Sequence, residues 1–276
     1  MGFDAVNLIT QMAQDVSLEP IKTVSPDKVK VGVDLGTCFI VIVVLDEFDK
    51  PVAMKMERSS ALKDGLVVDY IGAVDTVKRL KSQIENELGF ELLKTAIAVP
   101  PGTDIADCRT HTYVVSACGF EVVNVVDEPT AANNLLKIID GAVVDIGGGT
   151  TGVAVFKNGI IQNVFDEPTG GTHITLTLSG SKNISFEEAE NLKTNVENHK
   201  DIIGIVTPVI EKMGQIVLNH IGDTMDAYLV GGTCCLEGFE KVFQKYTNKN
   251  VFKPQNPLLI TPIGIAMACE KVEVQE

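Results

Sequence analysis

The sequence predicts an α/β fold made of two similar lobes that face each other across a cleft. Strand and helix patterns alternate along the 276 residues, as they do in α/β proteins. A unit of strand, glycine turn and strand occurs twice, which indicates an internal duplication. Apolar residues make up 45% of the chain and aromatic residues 5%, so the core must consist mainly of Val, Ile, Leu and Ala. Long runs of these residues are typical of strands covered on both faces.

The elements of the first half follow from apolar periodicity and from the residues that end each run. Prolines end the strand at 100–101, Gly119 closes a helix, and Pro129 opens the next one. We predict a helix over 1–19, strands over 28–37, 38–46 and 50–56, a helix over 71–88, a strand over 95–101, a helix over 103–119, a strand over 121–128 and a helix over 129–139.

The second half repeats the alternation. We predict a strand–turn–strand unit over 141–159, helices near 185–198 and 207–220, a strand over 227–232, a helix near 236–245 and a last helix from Pro262.

The N-terminal segment has two interpretations. Its apolar stripe is Ala5, Leu8 or Ile9, Met12 and Val16, and prolines separate it from the first strand. Residues 1–27 are therefore predicted to form a helical extension and a linker. The helix either packs on its own body or docks into a groove on a partner protein through residues 3–16.

The composition excludes several classes of function. The formal net charge is −14, from 37 acidic and 23 basic residues, which argues against nucleic acid and anionic membranes as partners. The chain contains neither an apolar run of about 20 residues nor a signal-peptide pattern. Its six cysteines have no metal-type spacing, and Cys234 and Cys235 are interpreted as buried thiols. We expect a cytoplasmic protein.

The duplication divides the chain. VGVDLGT (31–37) and VVDIGGGT (143–150) are the same strand–Asp–Gly–Thr device, and DEPTAANN (127–134) corresponds to TPIGIAMA (261–268). We expect lobe I to comprise 28–141 plus 261–276, and lobe II to comprise 142–260.

The two glycine turns point to phosphate chemistry. Glycines let backbone N–H groups approach an anion, and Thr37, Thr150 and Thr151 add hydroxyl donors. Asp34 and Asp145 are placed at strand ends, where carboxylates can hold a hydrated Mg²⁺. Glu128 begins a helix and could orient a water molecule for attack on a terminal phosphate; alternatively it is an ordinary helix start.

Five segments in one order resemble the nucleotide motifs of the actin, Hsp70 and sugar-kinase superfamily, from about Val29 onward. In chain order they are VGVDLGT (31–37), DEPTAANN (127–134), VVDIGGGTTGVAVF (143–156), YLVGGTCCLEGF (228–239) and TPIGIAMA (261–268). The resemblance implies a duplicated actin-like, ribonuclease H-like ATPase fold with ATP or ADP and Mg²⁺ in the cleft.

The resemblance also assigns roles to single residues. Asp34 and Asp145 would organise the metal and Glu128 the attacking water. The two glycine turns would bind the phosphate groups. The glycine pair at 231–232 and the predicted helix near 185–198 would contact the adenosine. The implied phosphate-binding residues are Gly36, Thr37, Cys38, Gly147, Gly148, Gly149, Thr150 and Thr151, and the implied adenosine-binding residues are Glu190, Lys193, Gly231 and Gly232.

The chain departs from the superfamily pattern in three places. Cys38 stands where Hsp70-like proteins usually carry Thr, as a functional thiol or as a tolerated small residue. Gly152 stands where an Asp is common. The segment that supplies a catalytic lysine in Hsp70 is missing, and Lys63 is the only basic residue nearby. We therefore expect ATP binding with slow turnover.

Three functions fit this superfamily. The segments at 62–69 and 170–193 resemble compact bacterial members, among them chaperone-like components of ethanolamine-utilization operons that build a microcompartment. That resemblance implies protein partners, namely ethanolamine-utilization enzymes or microcompartment components, and lobe closure driven by nucleotide. The alternatives are an actin-like filament or adaptor protein and, less favoured, a small-metabolite kinase.

Overall fold

A computed structural model describes residues 2–21, 23–222 and 225–269. The chain forms two compact units. The first runs to Lys137 and resumes at Leu259, and the second runs from Ile138 to Leu258. Within the described residues, no helix is both long and apolar enough to cross a membrane.

The first unit begins with a helix and then alternates strands with helices. Its elements up to residue 137 are α1 (Phe3–Leu18), β1 (Lys30–Leu35), β2 (Phe39–Leu45), β3 (Pro51–Arg58), β4 (Leu62–Lys63), β5 (Leu66–Val67), α2 (Tyr70–Leu88), β6 (Lys94–Val99), α3 (Ile105–Ser116), β7 (Glu121–Asp127) and α4 (Glu128–Leu136).

The second unit follows the same plan with longer helices. Its elements are β8 (Gly141–Ile146), β9 (Thr151–Lys157), β10 (Ile160–Glu167), α5 (Gly171–Lys182), α6 (Phe186–Thr194), α7 (His199–Leu218), β11 (Ala227–Val230), α8 (Phe239–Thr247) and β12 (Val251–Phe252). The chain then returns to the first unit as α9 (Ile260–Met267).

Each unit contains one five-stranded sheet, and the two sheets have the same topology. The strand order is β3-β2-β1-β6-β7 in the first unit and β10-β9-β8-β11-β12 in the second. In both, the first three strands are antiparallel and the last two run parallel to the central strand. The predicted duplication is therefore confirmed at the level of sheet topology.

Small residues in α9 let it pack closely inside the first unit. A Cβ atom at Gly264 would collide with the carbonyl of Ala131 in α4, and one at Gly32 in β1 would collide with the backbone of Ala266. The side chain of Asn134 also donates to the Gly264 carbonyl, at 3.1 Å. The two predicted Pro-led helices, α4 and α9, are therefore rich in small residues because they cross each other closely.

The N-terminal helix packs on its own body, along strand β3. Its buried line is Val6, Thr10, Ala13 and Val16, whereas Leu8 of the predicted stripe is 62% exposed. The predicted phase was wrong by about one residue because Thr10 was treated as polar surface. Its hydroxyl donates to the Asn7 carbonyl at 3.0 Å, so the side chain can be buried without an unsatisfied hydrogen-bond donor.

Four elements of the second unit differ from the predictions, among them the short strand β12, which was not predicted. Helix α7 begins at His199 and continues through Pro208, because its buried face of Ile202, Val206 and Ile210 outweighs the one hydrogen bond that proline removes. Helix α5 and strand β10 were not predicted. The Thr-rich segment of α5 alternates as a strand would, and most of β10 is exposed.

Candidate functional site

The glycine turn of the second unit joins β8 to β9. The N–H group of Gly147 donates to the carbonyl of Thr150 at 3.1 Å, which closes the turn. The carbonyls of Gly147 and Gly148 accept hydrogen bonds from the N–H groups of Gly171 and Thr172, at 3.0 and 2.8 Å. The turn is thus held on the first residues of helix α5.

This bracing fixes the direction of two N–H groups. In a planar trans peptide the N–H of one residue points opposite to the carbonyl of the residue before it. Since the carbonyls of Gly147 and Gly148 point at α5, the N–H groups of Gly148 and Gly149 point away from it. Adjacent N–H groups on one side of a glycine turn form a concavity that binds anions.

Two further glycines are required for this packing. A Cβ atom at Gly170 would lie 2.7–2.8 Å from backbone atoms of Gly147, Gly148 and Gly149, which is closer than real contacts allow. A Cβ atom at Gly171 would collide with the hydroxyl of Thr233, which donates to the Gly147 carbonyl at 2.7 Å. The sequence alone shows Gly170 and Gly171 as a cluster but does not reveal that they brace the turn.

Asp145 lies at the end of β8 and is 6% exposed. Gly231 has a φ of +90°, which favours glycine, and a Cβ atom there would collide with the Asp145 carboxylate. Gly231 therefore makes room for Asp145, in addition to any contact with adenosine. Gly232 starts the next turn and packs near Leu258.

The two threonines after the turn point to different faces of the sheet. Thr150 is buried and its hydroxyl bonds to Asp166 on β10. Thr151 is fully buried, and its hydroxyl donates to the Thr169 carbonyl at 2.6 Å. Because this hydroxyl already donates its proton to a backbone carbonyl, Thr151 cannot donate it to a phosphate as well.

The turn of the first unit has the same closing bond but different side chains. The N–H group of Gly36 donates to the carbonyl of Phe39 at 3.0 Å, so Phe39 corresponds to Thr150 and Thr37 to Gly148. The sequence motif places Thr37 and Thr150 at the same point after the glycine turn, and this correspondence is wrong because the second turn holds two more glycines, Gly148 and Gly149. Cys38 is half-buried, and its carbonyl accepts from the N–H of Ser59 at 3.1 Å.

A short hairpin, formed by β4 and β5, braces this first turn. The N–H group of Gly65 lies 3.4 Å from the hydroxyl oxygen of Thr37, a long and weak hydrogen bond. Lys63 in the same hairpin is exposed. Asp34 lies near the end of β1 and is half-buried.

Glu128 is the first residue of α4, in a half-buried position. Asp127 caps this helix by accepting from the N–H of Thr130 at 2.9 Å. A carboxylate at this point is stabilised by the positive end of the helix dipole.

Glu190 and Lys193 form an ion pair of 2.6 Å on helix α6. The ammonium of Lys193 also donates to the hydroxyl of Thr175 at 2.8 Å and to the carbonyl of Gly171 at 3.2 Å. The Thr175 hydroxyl lies 2.6 Å from Glu190. This network ties α6 to the first turn of α5, and therefore to the residues that brace the glycine turn.

The donor sets fit a nucleotide and a partly hydrated cation. No group of three His, Cys, Asp or Glu side chains that could hold a metal ion occurs among the described residues. Mg²⁺ commonly binds proteins through one or two carboxylates and keeps several waters, so Asp145 beside the second turn and Asp34 beside the first are each candidate ligands. Of the adjacent cysteines, Cys234 is buried as predicted, but Cys235 is exposed because the short helix at 232–235 turns it outward.

The chain matches two models of actin-like protein families. The model of the cell division protein FtsA matches residues 142–265, and the MreB/Mbl model matches residues 50–179. MreB5 of Spiroplasma citri bound to AMPPNP has 16% sequence identity and a TM-score of 0.71, covering 86% of this chain and 94% of that one. The predicted α/β class and the actin-like ATPase fold are confirmed.

More similar proteins share most of the chain. The ethanolamine utilization protein EutJ of Salmonella typhimurium is 43% identical over 238 residues, covering 85% of this chain and 84% of that protein. The crystal structure of ethanolamine utilization protein EutJ from Carboxydothermus hydrogenoformans has 47% identity and a TM-score of 0.90, covering 97% of this chain and 99% of that one. The chain therefore belongs to the EutJ family of ethanolamine utilization proteins.

Proposed function

We propose that this protein binds ATP and ADP, hydrolyses ATP slowly, and acts on partner proteins of ethanolamine utilization as a chaperone-like factor. The observation that carries the proposal is the direction of the Gly148 and Gly149 N–H groups, which the bonds from α5 fix. Preorganised backbone donors bind phosphate without the cost of ordering a loop. The AMPPNP-bound structure of a protein with the same fold supports a nucleotide as the ligand.

The roles of the residues follow their positions. The N–H groups of Gly148 and Gly149 bind phosphate oxygens, with Gly36 and Thr37 as the weaker donors of the first unit. Asp145 and Asp34 hold the water molecules of a bound Mg²⁺, which would neutralise phosphate charge. Glu128 orients the attacking water. Gly231, Gly232, Glu190 and Lys193 remain the proposed adenosine contacts.

We expect slow ATP turnover because of the positions of the lysine side chains near the two turns. A transferred phosphoryl group needs positive charge around its oxygens. Lys63 is exposed and the Lys193 ammonium already has three hydrogen-bond acceptors, so neither is preorganised to supply that charge. We propose that hydrolysis serves as a timer that changes the arrangement of the two units, and that partners respond to that change.

The partner surface is not the apolar line of α1. Val6, Ala13 and Val16 are buried, so docking through them would require the helix to leave β3. We propose that partners bind the outer face of α1, where Leu8 is exposed, or the surfaces of the two units. We place the protein in the bacterial cytoplasm, in association with a microcompartment.

Calorimetric titration with ATP and ADP, with and without Mg²⁺, tests the binding proposal. Saturable binding in the micromolar range or tighter supports it, and the absence of heat and of thermal stabilisation with both nucleotides overturns it.

Co-purification in ATP and in ADP tests the partner proposal. The natural chain is compared with Leu8→Glu, which changes the outer face of α1, and with Gln11→Glu as a charge control on the same helix. Recovery of an ethanolamine-utilization protein that depends on the nucleotide supports the proposal, whereas identical recovery in ATP and ADP overturns the switch. Sedimentation of the chain alone in ATP would favour the filament alternative.

A further inference from the structure

Asp166 is a buried carboxylate that the proposed function does not use. It lies near the end of β10, and one of its oxygens, Oδ1, is buried without a hydrogen-bond partner among the described residues. The side chain accepts a hydrogen bond from the Thr150 hydroxyl. Buried polar atoms without partners are rare in native proteins and each calls for a reason.

The sheet register places Asp166 beside the glycine turn. Gly152 on β9 pairs with Asp145 on one side and with Asp166 on the other. Directly opposite residues of an antiparallel pair project from the same face, so both carboxylates project from one face of the sheet. Gly152, which lies between them, contributes no side chain.

The Thr150 hydroxyl can serve only one acceptor at a time. A threonine hydroxyl has one proton to donate and two lone pairs. While Asp166 is ionised it takes that proton, and Thr150 presents only lone pairs to its other neighbours. When Asp166 is protonated it can donate to the threonine oxygen, which frees the hydroxyl proton for a phosphate oxygen.

We propose that Asp166 is a positioning residue of the second glycine turn that sets whether Thr150 accepts or donates toward a bound phosphate, and so makes nucleotide affinity depend on pH. The inference rests on the proposed nucleotide binding and adds a regulation of the same site. Asp166 acts through Thr150 and makes no contact with the phosphate itself.

The sign of the pH dependence follows from the surroundings of Asp166. Burial, as the main cause, raises the pKa of Asp166 to about 6, Thr150 lowers it, and the neighbouring Glu167 raises it. The other titratable groups are Asp145, two strands away across Gly152, and His220, just after α7, whose Nε2 atom lies 4.0 Å from the Glu167 carboxylate. Ionised Asp166 withholds the Thr150 proton from a bound phosphate and protonated Asp166 releases it, so we expect affinity to increase as the pH falls through this pKa.

The experiment measures the affinity for ADP at saturating Mg²⁺ from pH 5 to pH 8. Asp166→Asn keeps a donor to Thr150 but cannot ionise, and Glu167→Gln removes the neighbouring charge on the same strand as a matched control. Thr150→Val and the double variant complete a mutant cycle. At each pH the dissociation constant of the natural chain is divided by that of Asp166→Asn. Because both chains bind the same nucleotide, the effect of nucleotide ionisation on affinity is the same in both and drops out of this ratio. Thermal unfolding at each pH verifies that each variant is folded.

We expect this ratio to rise from about one at pH 5 to about ten at pH 8, the size of one hydrogen bond to a charged group. At pH 8, where Asp166 is ionised in both chains, the corresponding ratio for Glu167→Gln should be about one. The ratio for Asp166→Asn at pH 8 should fall below about three when Thr150 is Val. A ratio that does not change with pH overturns the inference, and so does an equal change in the Thr150→Val background, which would mean simple charge repulsion. If no variant binds ADP at any pH, the proposed function itself fails.

Discussion

The two glycine turns occupy equivalent places in two sheets of the same topology, yet they are built differently. The second turn has no side chains at Gly147–Gly149, and two backbone bonds of 2.8–3.0 Å hold it on helix α5. The first turn carries Thr37 and Cys38, and it is held by a bond of 3.1 Å from the N–H of Ser59 to the Cys38 carbonyl and by a weak contact of 3.4 Å to a short hairpin. We therefore expect the second turn to be the more rigid of the two and the main phosphate site, whereas the first offers side-chain donors.

The largest expected effect is on the bracing of the second turn. We expect Gly170→Ala to weaken ADP binding about a hundredfold and to lower the free energy of unfolding by about 1–3 kcal/mol, because the added Cβ overlaps the turn backbone. Gly180→Ala is the matched control, since its Cβ meets nothing within 4 Å, and should leave affinity unchanged. Calorimetry and denaturant titration measure both quantities. Equal affinity in the two variants would mean that α5 does not position the turn.

The next effect compares the two aspartates. Asp145→Asn should weaken binding of ATP about tenfold in Mg²⁺ and much less in EDTA, because a carboxylate that holds the waters of a cation acts only when the cation is present. Asp34→Asn should cost less, since Asp34 is less deeply buried than Asp145. A larger effect for Asp34 would reverse the ranking of the two turns.

A third effect concerns the carboxylate of Asp166, which lies on β10 beside the second turn. Since burial raises the pKa of Asp166 to about 6, its ionised form destabilises the fold at any pH above that value. Asp166→Asn should therefore stabilise the protein by about 1–2 kcal/mol at pH 8, after allowance for solvent screening. The gain should shrink below pH 6 and disappear near pH 4. Thermal unfolding across this range measures it, and a gain that grows on acidification would have the wrong sign.

The smallest effect belongs to the first turn. Thr37→Ala loses one long hydrogen bond to Gly65, so we expect less than about 0.5 kcal/mol in stability and about a twofold change in affinity. A tenfold loss would show that the first turn contributes as much as the second.

The sequence predicted the sheets and turns well because apolar runs ending in Asp and glycine encode them directly. The duplication and the places of Asp34 and Asp145 follow from local patterns. The phase of α1 and the burial of Thr151 do not, because each depends on a hydrogen bond to a backbone carbonyl.

Asp166 could not be found from the sequence, because it reaches the turn through strand pairing. It is 14 residues beyond Gly152, and only the register of β10 on β9 brings the two together. Helix α5 was missed because its Thr-rich segment alternates as a strand would, and its role could not be found because the turn that it braces lies more than 20 residues earlier in the chain.

The central claim is that the Gly148 and Gly149 N–H groups of the second turn bind a nucleotide phosphate. Amide nuclear magnetic resonance during an ADP titration in Mg²⁺ tests it directly, because glycine amides report hydrogen bonding to an anion. We predict large, saturable shifts for Gly148 and Gly149 and none for Gly180 or Gly204, whose surroundings are open. Binding that calorimetry detects but that leaves both turn amides unshifted would contradict the claim.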